Sequence, residues 1–180
     1  MRRPPKATPF ASILLGFAMC LAQHSTAAGP QQQASQSSEA KSGGAQSVVY
    51  TNKTYGFRFA LPAVWKGYSI IVEGWDGERY SKDGDRENGP NETGPQIVIR
   101  DPRWTRENPR EDIPIMIFTR SQWKRVEEER LVVSAAPVGP DDLGRNSRYV
   151  FALPPRYNYD DLPGADEVQE IINHHPLHAF

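Results

Sequence analysis

The chain has 180 residues, and its 21 lysine and arginine residues are balanced by 22 aspartate and glutamate residues, giving a formal net charge of −1. The basic residues are scattered among acidic ones, which excludes the basic footprint that a nucleic-acid or anionic membrane surface requires. The length predicts one domain with additional segments rather than two full domains.

The start of the chain has the three-part layout of a secretory signal peptide. A basic stretch, residues 2–6, precedes an apolar run, residues 10–22, which is short for a membrane span. Small residues follow, and cleavage after Ala28 is expected, with Ala27 or Ala22 as alternatives. We therefore expect an extracytoplasmic protein (periplasmic, cell-envelope or secreted) with no integral membrane segment after cleavage. A retained signal anchor is the alternative.

The single cysteine of the chain, Cys20, lies in this apolar run. Cleavage after Ala28 would leave a chain without cysteine, and therefore without a disulfide, a thiol nucleophile or a cysteine-ligated metal. A lipid anchor on Cys20 is the alternative, although the preceding residues 17–19 match a lipobox poorly.

A polar segment separates the leader from the domain. Residues 29–47 are rich in Gln, Ser, Gly and Ala and hold no large apolar side chain. Such a segment buries too little surface to offset the entropy of ordering it, so a disordered tether is predicted. A single folded domain is expected over residues 48–180, a length that supports one hydrophobic core.

The first part of the domain is dominated by strand patterns. Apolar residues alternate with others over residues 55–61, which predicts a strand with one buried face. The five aromatic rings of YGFRFALPAVWKGY, residues 55–68, are expected mainly in the core because aromatic side chains bury large areas. Residues 76–95 are expected to form a polar, glycine-rich excursion. Further strands are predicted at residues 68–72, 96–100, 113–119, 131–135 and 148–153.

Two helices are expected between and after these strands. Thr119 and Gln122 have the spacing of a capping box at the start of the first helix. The second helix is predicted over residues 165–173, with Asp166 and Glu167 at its positive end. Successive strands with two inserted helices predict an α+β domain, a mainly antiparallel sheet of about six strands flanked by two helices.

The start of the domain has a characteristic order of aromatic, glycine and proline residues. It contains Tyr50-Thr51-Asn52, Tyr55-Gly56-Phe57, Phe59, Leu61-Pro62 and Trp65. This order resembles the opening of the PsbP-like extracytoplasmic domains, in which a first hairpin and a Pro…Trp turn lead into a sheet flanked by helices. The resemblance implies an envelope-located, non-catalytic domain, and it assigns no functional residue to this chain.

The C-terminus holds a candidate metal site. His174, His175 and His178 place three imidazoles within five residues, and imidazole binds zinc, copper and nickel. A turn at Pro176 could bring His174 and His178 together. The simpler interpretation is a helix end whose histidines suit the helix dipole. A metal-dependent protein or hydrolase that uses these histidines is the alternative function, and no cofactor is otherwise expected.

Catalytic motifs are missing from the sequence. It has no Gly-x-Ser-x-Gly elbow, no phosphate-binding glycine loop and no His-Glu-x-x-His. The acidic loop of residues 83–89 lacks the glycine position and the distal glutamate of an EF-hand. A pair of carboxylates for glycoside cleavage among Glu73, Asp101 and Asp160 remains an open possibility. Only the distances between these carboxylates in the folded protein can decide it. We expect a non-enzyme, for lack of a nucleophile, base and orienting group.

Two loops carry residue types that are enriched at binding surfaces. One loop follows the strand at residues 96–100, and the other is PPRYNYDDLPG at residues 154–164. Their candidate binding residues are Arg103, Trp104, Arg156, Tyr157, Tyr159 and Asp160. The expected function is binding of an unknown envelope protein, peptide or glycan through these loops. Alternatively Trp104 and Tyr157 cap the ends of the sheet, or the domain is a purely structural envelope component.

Overall fold

The computed structural model describes residues 47–136, 138–158 and 162–180. The predicted leader, and the predicted tether apart from Ser47, lie outside these residues. Within the described ranges the chain forms nine strands and two helices. The strands are β1 (Val48–Asn52), β2 (Phe57–Leu61), β3 (Ser69–Arg79), β4 (Glu92–Arg100), β5 (Ile113–Thr119), β6 (Leu131–Val132), β7 (Asp141–Arg145), β8 (Tyr149–Leu153) and β9 (Leu177–Ala179), and the helices are α1 (Arg120–Glu127) and α2 (Ala165–Asn173).

The strands form two antiparallel sheets. Six of them lie in the order β6-β3-β4-β5-β8-β7, and three form a separate sheet in the order β1-β2-β9. A mostly antiparallel architecture with two helices is therefore confirmed, but the expectation of one sheet omitted the second one. The second sheet arises because the C-terminal residues form a strand that pairs with β2, with Leu177 opposite Phe59.

The main core lies between the two sheets. Phe57 and Phe59 on the inner face of β2 are fully buried against apolar residues of β4, β5 and β8, and α2 adds Val168 and Ile171. Trp65, in a short 3-10 helix over Ala63–Trp65, is also fully buried. The expected core role of the aromatic stretch is confirmed, because these three rings are inside and the other two pack at the margin of the same core.

A second core covers the opposite face of the six-stranded sheet. Because side chains alternate along β5, Ile117 faces the main core and Phe118 faces the second one. Phe118 lies between Trp75 of β3 and Trp123 of α1, with ring centroids 4.5 Å and 5.4 Å away. The predicted capping box that starts α1 is present. Among the described helices, none is both long and apolar enough to cross a bilayer.

The predicted excursion at residues 76–95 is confirmed for residues 80–91 and wrong at both ends, where strands continue. β3 runs to Arg79, and its pairing with β4 continues without interruption from Ser69↔Arg100 to Gly77↔Glu92. The glycines that suggested a loop instead allow close packing, because a Cβ on Gly94 would overlap the Trp75 ring. β6 is also shorter than expected, and β7 was not predicted.

Candidate functional site

Asp101, directly after β4, is the buried centre of an ion-pair cluster whose other members are partly exposed. Its side chain is 1% exposed. Arg103 donates to it through the backbone N–H (2.7 Å), Nε (2.9 Å) and Nη2 (2.6 Å), and Arg110 donates through Nε (2.8 Å). Burial alone would raise the pKa of Asp101, but the hydrogen bonds from both arginines outweigh it and lower the pKa to about 2. Asp101 is therefore ionised at neutral pH and is unsuited to the proton-donor role of a glycosidase pair.

Glu167 connects this cluster to α2. Its carboxylate accepts hydrogen bonds from Arg103 Nη2 (2.9 and 2.8 Å) and from Trp65 Nε1 (2.8 Å). Its position in the first turn of α2 favours a negative charge, because the helix N-terminus is the positive end of the dipole. We call Asp101, Arg103, Arg110 and Glu167 the Asp101 cluster; it joins the loop after β4 to α2 and to the 3-10 helix.

Trp104 lies beside the Asp101 cluster and is half-buried. Its backbone N–H donates to the carbonyl of Asp101 at 3.0 Å. The guanidinium of Arg100 lies 4.1 Å from the centroid of the Trp104 ring, and Arg100 Nε is held by Asp112 at 2.9 Å. Both the backbone and the ring are thus fixed in place, while part of the ring stays accessible.

The second candidate loop contacts α2 through Tyr157. The Tyr157 hydroxyl donates to Gln169 Oε1 at 2.9 Å, and its half-buried ring packs against the main core. Burial raises the pKa of Tyr157, and the charges of Glu111 and Asp141 add to this effect. Residues two positions apart on a helix do not face the same side, so the contacts at Glu167 and Gln169 reach α2 from different sides.

The remaining candidate binding residues of this loop are Arg156, Tyr159 and Asp160. Arg156 is exposed and has a left-handed backbone conformation, with φ at +53°. Tyr159 and Asp160 lie outside the described residues. The structure therefore brings Arg103 and Trp104 together beside α2, and it places Tyr157 on a different side of that helix.

The three C-terminal histidines are used in different local structures. His174 Nδ1 lies 2.8 Å from the carbonyl oxygen of Glu170, whereas His178 is on β9 opposite Arg58. The turn at Pro176 docks the tail, since its carbonyl accepts from the Ala60 N–H at 2.9 Å. In the part of the chain that the structure describes, no three His, Cys, Asp or Glu side chains form a group that could hold a metal ion.

A groove of about 420 Å³ lies beside β6 and the segment that follows it. Val132 and Val138, both partly exposed, contribute to its apolar lining, and Tyr80 and Glu129 are its titratable groups. These two groups do not make a nucleophile and base pair. The groove therefore offers apolar surface rather than catalytic chemistry.

Sequence reasoning missed several partners in and around the Asp101 cluster. Arg100, Arg110 and Asp112 received no role, and Glu167 was assigned only to the helix start. The missing signal was the register of β4 and β5, in which Ile99 pairs with Ile113. Continuing that pairing beyond the strands places residue 100 opposite residue 112, where the ion pair of Arg100 forms.

Comparison of this chain with protein-family models, curated proteins and solved structures finds no match. The PsbP-like resemblance therefore stays a prediction, and the function must be argued from the geometry.

Proposed function

We propose that this chain is an exported, non-catalytic domain that binds a protein, peptide or glycan partner in the cell envelope through the surface around Trp104. The signal-peptide layout of the N-terminus supports export. The lack of a catalytic motif supports a binding role. The observation that carries the proposal is that the buried carboxylate of Asp101 fixes the loop while Trp104 and Arg103 stay partly accessible.

A fixed loop favours binding because its conformational entropy is lost when the domain folds and need not be lost again when the partner binds. A side chain that is immobilised on association costs about 0.5–1.5 kcal/mol, and this cost is smaller when the loop is preorganised. Tryptophan and arginine are also the residue types most enriched at binding hot spots. The Trp104 ring is therefore the expected anchor of the interface, with Arg103 beside it.

The charges around Trp104 are balanced. Three guanidinium groups and three carboxylates pair with one another there: Arg100, Arg103, Arg110, Asp101, Asp112 and Glu167. A partner is accordingly expected to be recognised by ring stacking and hydrogen bonds rather than by net charge. Its binding should depend only weakly on ionic strength, because screening acts on uncompensated exposed charges.

The test compares two exposed aromatic and arginine pairs on the same domain. Partners of the tagged full chain are cross-linked in its own host and identified, and the affinity of the purified partner is then measured for each variant. Trp104→Ala should weaken binding about tenfold or more, as expected for a hot spot. Phe180→Ala is the matched control, because Phe180 is 55% exposed and Arg58 lies 5.3 Å from its ring centroid. Equal affinities of wild type and Trp104→Ala would contradict the proposal.

Export is tested separately by the intact mass of the protein isolated from its host. Cleavage after Ala28 predicts the loss of the leader and a mature chain that starts at Gly29. An uncleaved mass would contradict the cleavage, and an acyl group on Cys20 would replace it with a lipid anchor.

A further inference from the structure

One side of β3 is open. β4 pairs with β3 along residues 69–77, but on the other side of β3 β6 reaches only Glu78 and Arg79. No other described strand pairs with residues 69–76 on that side, which we call the open edge. Unpaired backbone N–H and C=O groups along a strand are a template for another strand.

The direction of the backbone groups follows from the hydrogen bonds at the end of β3. The Tyr80 N–H donates to the carbonyl of Arg130 on the β6 side at 2.9 Å, and the Arg79 carbonyl accepts from Glu87 on the β4 side at 2.8 Å. Because N–H and C=O groups alternate sides along a strand, the even-numbered residues direct theirs to the open edge. Those residues are Ile70, Val72, Gly74 and Asp76.

The open edge differs from the other sheet edges in the described part of the chain. β6 and β9 have two and three residues, and β7 carries charged side chains and a bulge between Asp142 and Gly144. Short length, charge and bulges are the usual protection of an edge strand. β1 is unbulged but has only five residues. The open edge is longer than any of these, continuous in register and without proline.

The side chains of the open edge define what fits it. Val72 is 70% exposed, and Gly74 offers no side chain that would obstruct a neighbouring backbone. Glu73 and Asp76 are exposed, and among the described residues neither forms an ion pair; Glu73 accepts only from Gln96 Nε2 at 3.4 Å. Across an antiparallel pair, a basic residue opposite each carboxylate is favourable and an acidic one is unfavourable.

We propose that the open edge binds an extended peptide segment by strand addition, with an apolar residue opposite Val72 and lysine or arginine opposite Glu73 and Asp76. Backbone hydrogen bonds to the even-numbered residues hold the segment, and its basic residues set the register. This site rests on the unpaired backbone and on the two carboxylates. It is independent of the Trp104 surface.

A second copy of this chain fits the open edge less well than a basic peptide. Antiparallel pairing of two copies centred on Val72 places the two Glu73 carboxylates diagonally on one face of the sheet. Pairing of two open edges brings four carboxylates, Glu73 and Asp76 of each copy, into one interface. Residues 69–77 of β3 contain no lysine or arginine that could balance these charges.

The test uses two synthetic peptides and the full chain. The first peptide, Lys-Thr-Val-Lys-Val-Thr-Val-Thr, runs antiparallel to β3 over residues 69–76 and places its lysines opposite Asp76 and Glu73. The second peptide has glutamate in place of both lysines. The lysine peptide should bind about tenfold more tightly, because two opposite-charge pairs replace two like-charge pairs. Its binding should slow amide hydrogen exchange at the even-numbered residues of the open edge.

Three variants make the test specific. The double variant Glu73→Lys, Asp76→Lys should reverse the preference between the two peptides. Val72→Pro removes an outward N–H without removing a bond to β4, and it should weaken both peptides about tenfold while the chain stays folded. Glu170→Lys, an exposed charge reversal on α2, is the matched control and should change nothing. Trp104→Ala should also leave peptide binding unchanged, which separates this site from the proposed function.

Four outcomes would overturn the inference. They are binding of neither peptide, equal affinity for both, slowed exchange at residues other than those of the open edge, and a dimer that protects the open edge without peptide. The last outcome would assign the edge to a second copy of the chain.

Discussion

The Asp101 cluster and the open edge begin at neighbouring residues, since Arg100 of β4 pairs with Ser69 of β3. They differ in whether their polar groups have partners within the protein. In the cluster, a buried carboxylate accepts hydrogen bonds from two arginines. Along the open edge, backbone groups are unpaired in the described residues, and two exposed carboxylates form no ion pair there, although Glu73 accepts a hydrogen bond from Gln96. Polar groups inside a cluster fix a loop, whereas polar groups left outside are available to a ligand.

The cluster should be far more sensitive to mutation than the open edge. Removing the buried Asp101 carboxylate deletes charged hydrogen bonds to two arginines, and such bonds contribute about 1.5–3 kcal/mol each. Changes at an exposed edge position usually stay within about 0.5 kcal/mol.

Asp101→Ala should give the largest loss of stability. It leaves the partly exposed guanidinium groups of Arg103 and Arg110 with Glu167 alone, and the lost charged hydrogen bonds should lower the free energy of unfolding by about 1.5–3 kcal/mol. Urea unfolding followed by tryptophan fluorescence measures the change. Glu128→Ala, which removes exposed pairs with Lys124 and Arg130 far from the cluster in sequence, is the control and should cost less. A loss below about 1 kcal/mol for Asp101→Ala would show that the cluster does not hold the loop.

Acid should remove the contribution of Asp101. The folded pKa of about 2 is lower than the ordinary value of 3.8, so its stabilisation is complete above about pH 4 and is lost as the pH falls through 2. The loss should amount to about 2 kcal/mol of the free energy of unfolding. Unfolding curves from pH 7 to pH 2 measure it, and Asp101→Asn should remove this part of the pH dependence. Parallel curves for both proteins would contradict the role of Asp101.

Gly94→Ala tests the packing of Trp75, a residue of β3, against Gly94 of β4. A Cβ at this position overlaps the Trp75 ring, whose Nε1 donates to the buried carbonyl of Ile117 at 3.0 Å. The overlap should cost about 1–3 kcal/mol of the free energy of unfolding, as for other overpacked sites. Gly139→Ala is the matched control, because a Cβ there meets no atom of the described residues within 4 Å. Equal melting temperatures for the two variants would be the contrary result.

Val72→Lys should have the smallest effect. The side chain is 70% exposed, so the substitution should change the free energy of unfolding by less than about 0.5 kcal/mol. Lysine on an edge strand also reduces self-pairing, and the variant should stay soluble at higher protein concentration than the wild type. A loss above about 1 kcal/mol would mean that Val72 packs against another part of the protein.

The sequence predicts the elements better than it predicts their partners. Alternation along β2 identified Phe57 and Phe59 as core residues, and the spacing of Thr119 and Gln122 identified the start of α1. These features depend on residues that are close in the chain. The strand at tail residues such as Leu177 was not predicted, because it exists only through pairing with β2.

The same limit applies to the candidate sites. Arg103 and Trp104 were selected by residue type, but the acceptor of Arg103 on α2 is Glu167, 64 residues further along the chain. No local pattern connects these two positions. The open edge could not be predicted from the sequence either. A strand edge is open only if no other strand pairs with it, and strand pairing depends on residues far apart in the chain.

Amide hydrogen exchange of the full chain, measured residue by residue without ligand, tests the contrast between the two regions most directly. Slow exchange is expected at Arg103, whose N–H is held by buried Asp101, and an alternating pattern is expected along β3. Ile71, Glu73 and Trp75 should exchange slowly, and the even-numbered residues 70–76 should exchange fast. Uniformly slow exchange along β3 would show that the edge is already covered, and fast exchange at Arg103 would show that the loop is not fixed.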